Sequence, residues 1–161
     1  MVQRLDEGMQ SLAEVIKKTT GKDITNYPGA GAAGGMGGGL LAFFNAELKP
    51  GTELLLKAID FSEKIKGADL IITGEGKADR QTAMGKVPYG ILKEAQKEHI
   101  PVIVLAGNIE NLPELNKAGF KGIFSIAPGP ITLEKAMEPE FAKENITRLV
   151  SQLYSVITSF G

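Results

Sequence analysis

The apolar positions change period part-way along the chain. Between residues 3 and 18, Leu5, Met9, Leu12 and Ile16 recur at the i, i+4, i+7 spacing of one helical face. Gly21 follows as the C-terminal cap of that helix. The stretch Asp23 to Pro28 is too polar and short for a strand. A glycine-rich tract comes next, and Leu40, Leu41, Phe43 and Phe44 then read as a buried helical segment. Pro50-Gly51 breaks the chain, and Thr52 is the expected cap of a short helix running through Leu54, Leu55 and Ala58.

From Ala68 onward the pattern is that of strands. Three short apolar runs predict strands near 69–73, 102–106 and 122–126, and near-continuous β-branched runs are what strands buried on both faces look like. They end in Gly74-Glu75-Gly76, Gly107-Asn108 and Pro128-Gly129-Pro130. Helical patterns separate them: Pro88 to His99 with Ile91, Leu92 and Ala95 inward, and Leu112 to Ala118 between an Asn111 cap and Gly119. Phe141 to Ile157 forms a closing helix with Ile146, Leu149, Val150, Leu153 and Ile157 on one stripe. The expected fold is α/β and three-layered. It has a parallel βαβαβ unit in a Rossmann-like segment over 67–161, after a helical, glycine-rich segment over 1–66.

Composition narrows the functional classes. The 161 residues suffice for one core without staples, and 43% apolar with 23% charged is ordinary for a soluble domain. A net charge of −1 gives no electrostatic case for nucleic acid or an anionic membrane. The absence of cysteine removes disulfides, thiol nucleophiles and Cys-based metal sites. The single histidine, His99, reads as a partner of a helix C-terminus rather than a catalyst. No apolar run approaches the ~18 residues of a membrane span, and the N-terminus lacks a secretory signal, so the expected location is cytoplasmic.

Seven of the 20 glycines lie between Gly29 and Gly39. Gly29-Ala30-Gly31-Ala32-Ala33-Gly34 matches G-x-G-x-x-G literally. It follows no convincing strand, and Asp60 stands too far on, at a helix end, to act as the acidic residue of that fingerprint. A Walker A reading also fails, because neither Gly76-Lys77 nor Gly85-Lys86 precedes Ser or Thr. Two readings of the tract remain: exposed N–H groups of Gly29, Gly31, Gly34 and Gly35 that attract an anion, or close packing through small residues.

The densest polar segment is Thr73 to Thr82, at the carboxyl end of the first strand, where open α/β sheets bind ligands. Glu75 and Asp79 are the candidate Mg²⁺ ligands, or one of them accepts a proton from a hydroxyl. Lys77, Arg80 and Lys86 supply positive charge for phosphate, and Gln81 and Thr82 supply neutral hydrogen bonds. The bland alternative is a solvated loop whose charges pair with each other. Position and density favour a site. Met36 and Met84 read as space-filling.

The motifs together resemble the bacterial glycerate kinase family. The resemblance rests on Pro28 to Gly35, Leu48-Lys49-Pro50-Gly51, Ala68 to Gly76 with Asp79, Gln81, Thr82 and Gly85-Lys86, then Pro101 to Gly107, and Pro128-Gly129-Pro130 with Leu133-Glu134 and Ala136. It implies ATP- and Mg²⁺-dependent phosphorylation of D-glycerate at its 2- or 3-hydroxyl by a two-domain α/β enzyme. By position it implies Asp79, Lys86 and Glu75 as catalytic residues and Glu75 and Asp79 as the metal ligands. Gly29, Gly31, Gly34, Gly35, Lys77, Gln81 and Thr82 are implied at the cofactor. The match is to the C-terminal part of that family, without its N-terminal Asp-Ser-Phe-Lys-type motif. The expectation is therefore a fragment holding a partial domain, one that dimerises through an exposed sheet edge. The competing expectations are a module that binds nucleotide or a small acid without turnover, and a metal-dependent phosphohydrolase.

Overall fold

The computed structural model describes residues 2–159, and the chain divides after Gly51 into two compact units. In the first unit, α1 (Val2–Thr20) buries Ala13 and Ile16, which cluster with Ile24 and Ala42. The buried set is confined to the second half of α1. Leu5 and Leu12, on the face expected to be inward, are 61% and 51% exposed. Gly21 caps the helix as expected: it adopts a positive φ of 74°, and its N–H donates to the Lys17 carbonyl at 3.0 Å. Lys17 Nζ then reaches Asp23 at 2.6 Å. That hydrogen bond, with the Thr25 N–H, holds the Asp23 carboxyl down at about 2.

Helix α2 (Ala32–Phe44) carries the glycine tract, and its start is not regular helix. Ala33, Gly34 and Gly35 are all left-handed, at φ 51°, 69° and 92°. Beyond them Gly37 and Gly38 are buried for a steric reason. A Cβ on Gly37 would strike the Gly29 carbonyl oxygen, and one on Gly38 would lie 2.8 Å from Ile24 Cδ1. Packing therefore accounts for these two glycines. The expected burial of Leu40, Phe43 and Phe44 is corrected. All three are exposed, because the buried face of α2 is its glycine face and the large side chains point the other way. Met36 is likewise exposed.

The second unit runs α3 (Gly51–Ala58), α4 (Phe61–Lys64), β1 (Ile71–Ala78), a 3-10 turn (Arg80–Met84), α5 (Val87–Lys97), β2 (Val102–Ile109), α6 (Leu112–Ala118), β3 (Gly122–Ser125), α7 (Leu133–Ala136) and α8 (Pro139–Thr158). The strands are parallel in the order β1-β2-β3, with Ile71 opposite Val102 and Ile103 opposite Gly122. This is the expected βαβαβ unit. Its core unites Val102, Val104 and Ala106 of β2 with Leu92 and Ala95 of α5, Leu115 of α6, and Ile65, Ile100 and Phe120. On the opposite face of β2, Ile103 and Leu105 are also buried, whereas Ile72 of β1 is exposed.

Helices α3 and α4 fall in the same compact unit as the sheet, a unit that begins at Thr52, while the change of apolar pattern lies at 66/67. The reason is packing: Thr52 and Leu56 press on Gly90 of α5, and Ile65 enters the core. Thr52 is thus a packing residue inside α3 rather than its cap. Asn111 precedes α6 in left-handed backbone without a side-chain capping bond, and Gly119 ends that helix at φ 116°. His99, also left-handed, follows α5. The stripe on α8 is only half-covered. Leu149, Val150 and Leu153 are half-buried, Ile146 and Ile157 are exposed, and Asn145 is the buried side chain.

Strands β1 and β2 are each longer than their apolar runs. Gly74, Glu75, Gly76 and Lys77, expected beyond the first strand, lie within it. Gly107 and Asn108 lie within the second. The ladder continues because the two glycines run side by side. Glu75 pairs with Ala106 and Lys77 with Asn108, and a Cβ on Gly107 would sit 2.8 Å from the Gly76 carbonyl oxygen. Burial changes parity here. Thr73 faces inward before Gly76, and Ala78, five residues on, faces inward after it.

Candidate functional site

The strand extension sets the place of the acidic residues. Glu75 projects from β1 with its side chain only 11% exposed. Asp79 follows the last strand residue and is the N-cap of the 3-10 turn. Lys86 is the N-cap of α5. Lys86 Nζ lies 3.2 Å from Asp79 Oδ1 and 3.8 Å from Glu75 Oε2, so one ammonium serves two carboxylates drawn from separate elements. The structure therefore brings together the three residues expected to be catalytic.

Backbone geometry fixes Asp79. The N–H of Gln81 donates to Asp79 Oδ1 at 2.9 Å. The Asp79 N–H donates to Thr82 Oγ1 at 2.9 Å, and the Thr82 N–H returns to the Asp79 carbonyl at 2.9 Å and to its carboxylate, a reciprocal cap. The Lys86 hydrogen bond, aided by the Gln81 N–H, lowers the Asp79 carboxyl below the usual aspartate range, so it is ionised near neutrality. Glu75 differs: its Oε1 is buried and has no hydrogen-bond partner. Such an atom is costly to leave unpaired, and a cation or a donor from a ligand would satisfy it.

The remaining expected residues sit elsewhere. Lys77 is exposed and turned to Glu110 at 2.9 Å, which raises its pKa. Arg80 and Gln81 are exposed on the turn. Thr82 is fully buried, with its hydroxyl held by the Asp79 N–H. Its position is that of a support for Asp79. From sequence Thr82 is expected at the cofactor, and the Asp79-x-x-Thr82 spacing of a reciprocal cap is the signal that could have shown its support of Asp79. Met84 is exposed rather than space-filling. Glu110, the partner of Lys77, carried no sequence signal.

Of the glycine tract in the first unit, Gly29 and Gly35 have left-handed backbone, as does Gly34. Gly31 and Gly34 have open space where a side chain would stand, unlike Gly37 and Gly38. A cleft of about 290 Å³ opens beside Gly31 and Gly35, lined also by Met9, Gln10, Ile24 and Asn26.

Among the described residues no cluster of three or more His, Cys, Asp or Glu could hold a metal. Mg²⁺ in phosphoryl-transfer sites is commonly bound by only one or two carboxylates together with phosphate oxygens and water. The unpartnered Glu75 oxygen and the ionised Asp79 fit that kind of site. No described helix is long and apolar enough to cross a membrane.

The profile of the Glycerate kinase family matches residues 1–158. A glycerate kinase of Halalkalibacterium halodurans is 43% identical over 85% of the chain and 36% of its own length. One of Bacillus cereus is 41% identical over 97% of the chain and 41% of its own length. The glycerate 2-kinase of Escherichia coli K12 is 42% identical over 92% of the chain and 39% of its own length. A crystal structure attributed to glycerate kinase 2 of Salmonella typhimurium LT2 superposes with a TM-score of 0.69 at 33% identity, covering 99% of this chain and 40% of that one. The chain thus spans roughly two fifths of the length of the relatives it matches.

Proposed function

The chain belongs to the glycerate kinase family, and from that premise we propose that it carries catalytic machinery for ATP-dependent phosphorylation of D-glycerate to phosphoglycerate. The observation that carries this reading is the buried, unpartnered oxygen of Glu75, whose carboxylate shares Lys86 with that of Asp79. Phosphoryl transfer asks for positioning and charge stabilisation more than covalent chemistry. An ionised carboxylate held by backbone N–H groups and a nearby ammonium supply both.

In this reading one of Asp79 and Glu75 accepts the proton of the attacking glycerate hydroxyl as that oxygen bonds to phosphorus and ADP leaves. Lys86 lies between them and stabilises charge on the transferring phosphoryl group. Mg²⁺, when bound, would be held by the other of Glu75 and Asp79 and would offset phosphate charge. The glycine tract offers backbone N–H groups at Gly29, Gly31, Gly34 and Gly35 to phosphate oxygens, supported by the open space at Gly31 and Gly34. Lys77 and Gln81 remain proposed at the cofactor, whereas Thr82 is buried with its hydroxyl on the Asp79 N–H. Their present partners favour supporting roles.

We also take the sheet of the second unit as the middle layer of three, which the buried Ile103 and Leu105 opposite the core support. The chain as a whole is then a partial domain of a two-domain kinase, working in the cytoplasm. Pairing of two copies through a sheet edge is supported by the position of β1 and β3 at the two ends of the strand order. A single sharp monomer peak in light scattering at high concentration excludes it.

The test is glycerate-dependent ADP formation together with calorimetric titration of Mg-ATP. Turnover that falls at least tenfold in Asp79→Ala supports the kinase reading. A smaller fall removes Asp79 from the chemistry. Heat of ATP binding without ADP formation favours the second reading, a nucleotide- or small-acid-binding module. The share of the relatives' length that this chain spans makes that reading concrete.

A further inference from the structure

We propose that Thr82 is a positioning residue whose hydroxyl fixes the Asp79 carboxylate for the reaction, rather than a residue that contacts the nucleotide. This rests on the reading of the acidic turn as catalytic. Thr82 has no exposed surface, so no ligand reaches its hydroxyl without unfolding the turn. Its Oγ1 accepts from the Asp79 N–H at 2.9 Å, while its own N–H meets the Asp79 carbonyl and carboxylate. Asp79 follows Ala78, which is wholly buried, and its backbone is extended at φ −140° and ψ −173°. The Thr82 hydroxyl is the acceptor that satisfies this N–H and holds the chain in the geometry that aims the carboxylate at Lys86.

The side chain has two halves with separable tasks. The hydroxyl orients Asp79, and the buried methyl packs in the interior. Thr82→Val keeps the size and removes the acceptor. Thr82→Ser keeps the acceptor and removes the methyl. A purely structural role predicts that activity follows stability in both variants. The positioning role predicts that activity follows the hydroxyl.

Two measurements test this. In glycerate-dependent ADP formation, Thr82→Val is expected to lower kcat by about ten- to a hundredfold, the cost of a misplaced catalytic group, with KM for ATP changed by less than about threefold. Thr82→Ser is expected to retain kcat within about threefold despite a lower melting temperature. The second measurement needs no turnover: hydrogen exchange of the Asp79 amide, whose acceptor is the Thr82 hydroxyl. Thr82→Val is expected to speed that exchange by about tenfold or more while the β1 amides keep theirs, and Thr82→Ser to leave it slow. The proposal is overturned if the Asp79 amide exchanges alike in both variants, or if kcat falls in proportion to stability in both. Should Thr82→Val not fold, an Asp79 amide that exchanges faster in Thr82→Ser overturns it and an unchanged one supports it. A wild-type chain without ADP formation removes the kinase reading alone, and the exchange comparison still decides the role of Thr82.

Discussion

Two neighbouring glycines in the β1–β2 ladder are expected to respond oppositely to the same substitution. A Cβ on Gly107 would lie 2.8 Å from the Gly76 carbonyl oxygen, closer than a real Cβ approaches such an atom. That oxygen is backbone in a paired strand, so no flexible side chain can give way. The strands must part by roughly half an ångström where Glu75 meets Ala106 and Lys77 meets Asn108, and overpacking of this kind costs about 1–3 kcal/mol. A Cβ on Gly76 meets nothing within 4 Å. Neither glycine has a positive φ, so both backbones accept alanine. Gly76→Ala should then be neutral or stabilising by up to about 1 kcal/mol through the unfolded chain. For a chain of this size 1 kcal/mol corresponds to about 2–4 °C in Tm. Urea and thermal unfolding of the two variants is the assay. Gly107→Ala should melt several degrees lower and Gly76→Ala no lower than wild type. Equal losses at both positions would refute the close-approach argument and indicate a shared requirement for glycine in the strand. Because Glu75 precedes Gly76 on β1, Gly107→Ala should also disturb the acidic site, and Gly76→Ala less so.

Four further outcomes follow from the structure. Lys22 Nζ donates to the Leu41 and Ala42 carbonyls and to Asn45 Oδ1, at 3.4, 3.0 and 2.6 Å, so it caps the C-terminus of α2. Lys22→Met should destabilise the first unit by about 1 kcal/mol, read by amide exchange in α2, and unchanged exchange would count against the cap. Ala33 at φ 51° carries a left-handed penalty that glycine lacks. Ala33→Gly should therefore raise stability by up to about 1 kcal/mol, and a loss would mean that its methyl packs usefully. The carboxyls of Asp23, Asp79 and Glu94 are all depressed, chiefly by hydrogen bonds from Lys17, Lys86 and Lys97. A depressed carboxyl adds stability that is fully present above its unfolded pKa near ~4 and lost as pH falls through the folded value, about 2 for Asp23. Unfolding midpoints should fall between about pH 5 and pH 2, less steeply in high salt because the pairs are partly exposed. Lys86→Met should return the Asp79 titration toward its ordinary value.

Local pattern determined a large part of this protein. The β-branched runs at 102–106 and 122–126, separated by helical spacing, suffice for parallel strands. Gly21 and Gly119 are legible as caps because their left-handed backbone is a local property. Asp79, Glu75 and Lys86 could be singled out because charges with glycines at a strand end leave few other uses for them. The tertiary structure decided what depends on neighbours distant in sequence. Alternation cannot reveal that β1 continues through Gly74-Glu75-Gly76-Lys77, because the ladder there rests on Gly107 of another strand. Nor can periodicity say which side of α2 is covered. Its glycines are buried and its phenylalanines are not, because the approach of the Gly29 carbonyl and Ile24 selects the face without side chains. The same holds for Thr82, a ligand candidate by composition and a support for Asp79 once burial is known. Residue type sets which chemistry is available, and burial and close approach determine which atoms can perform it.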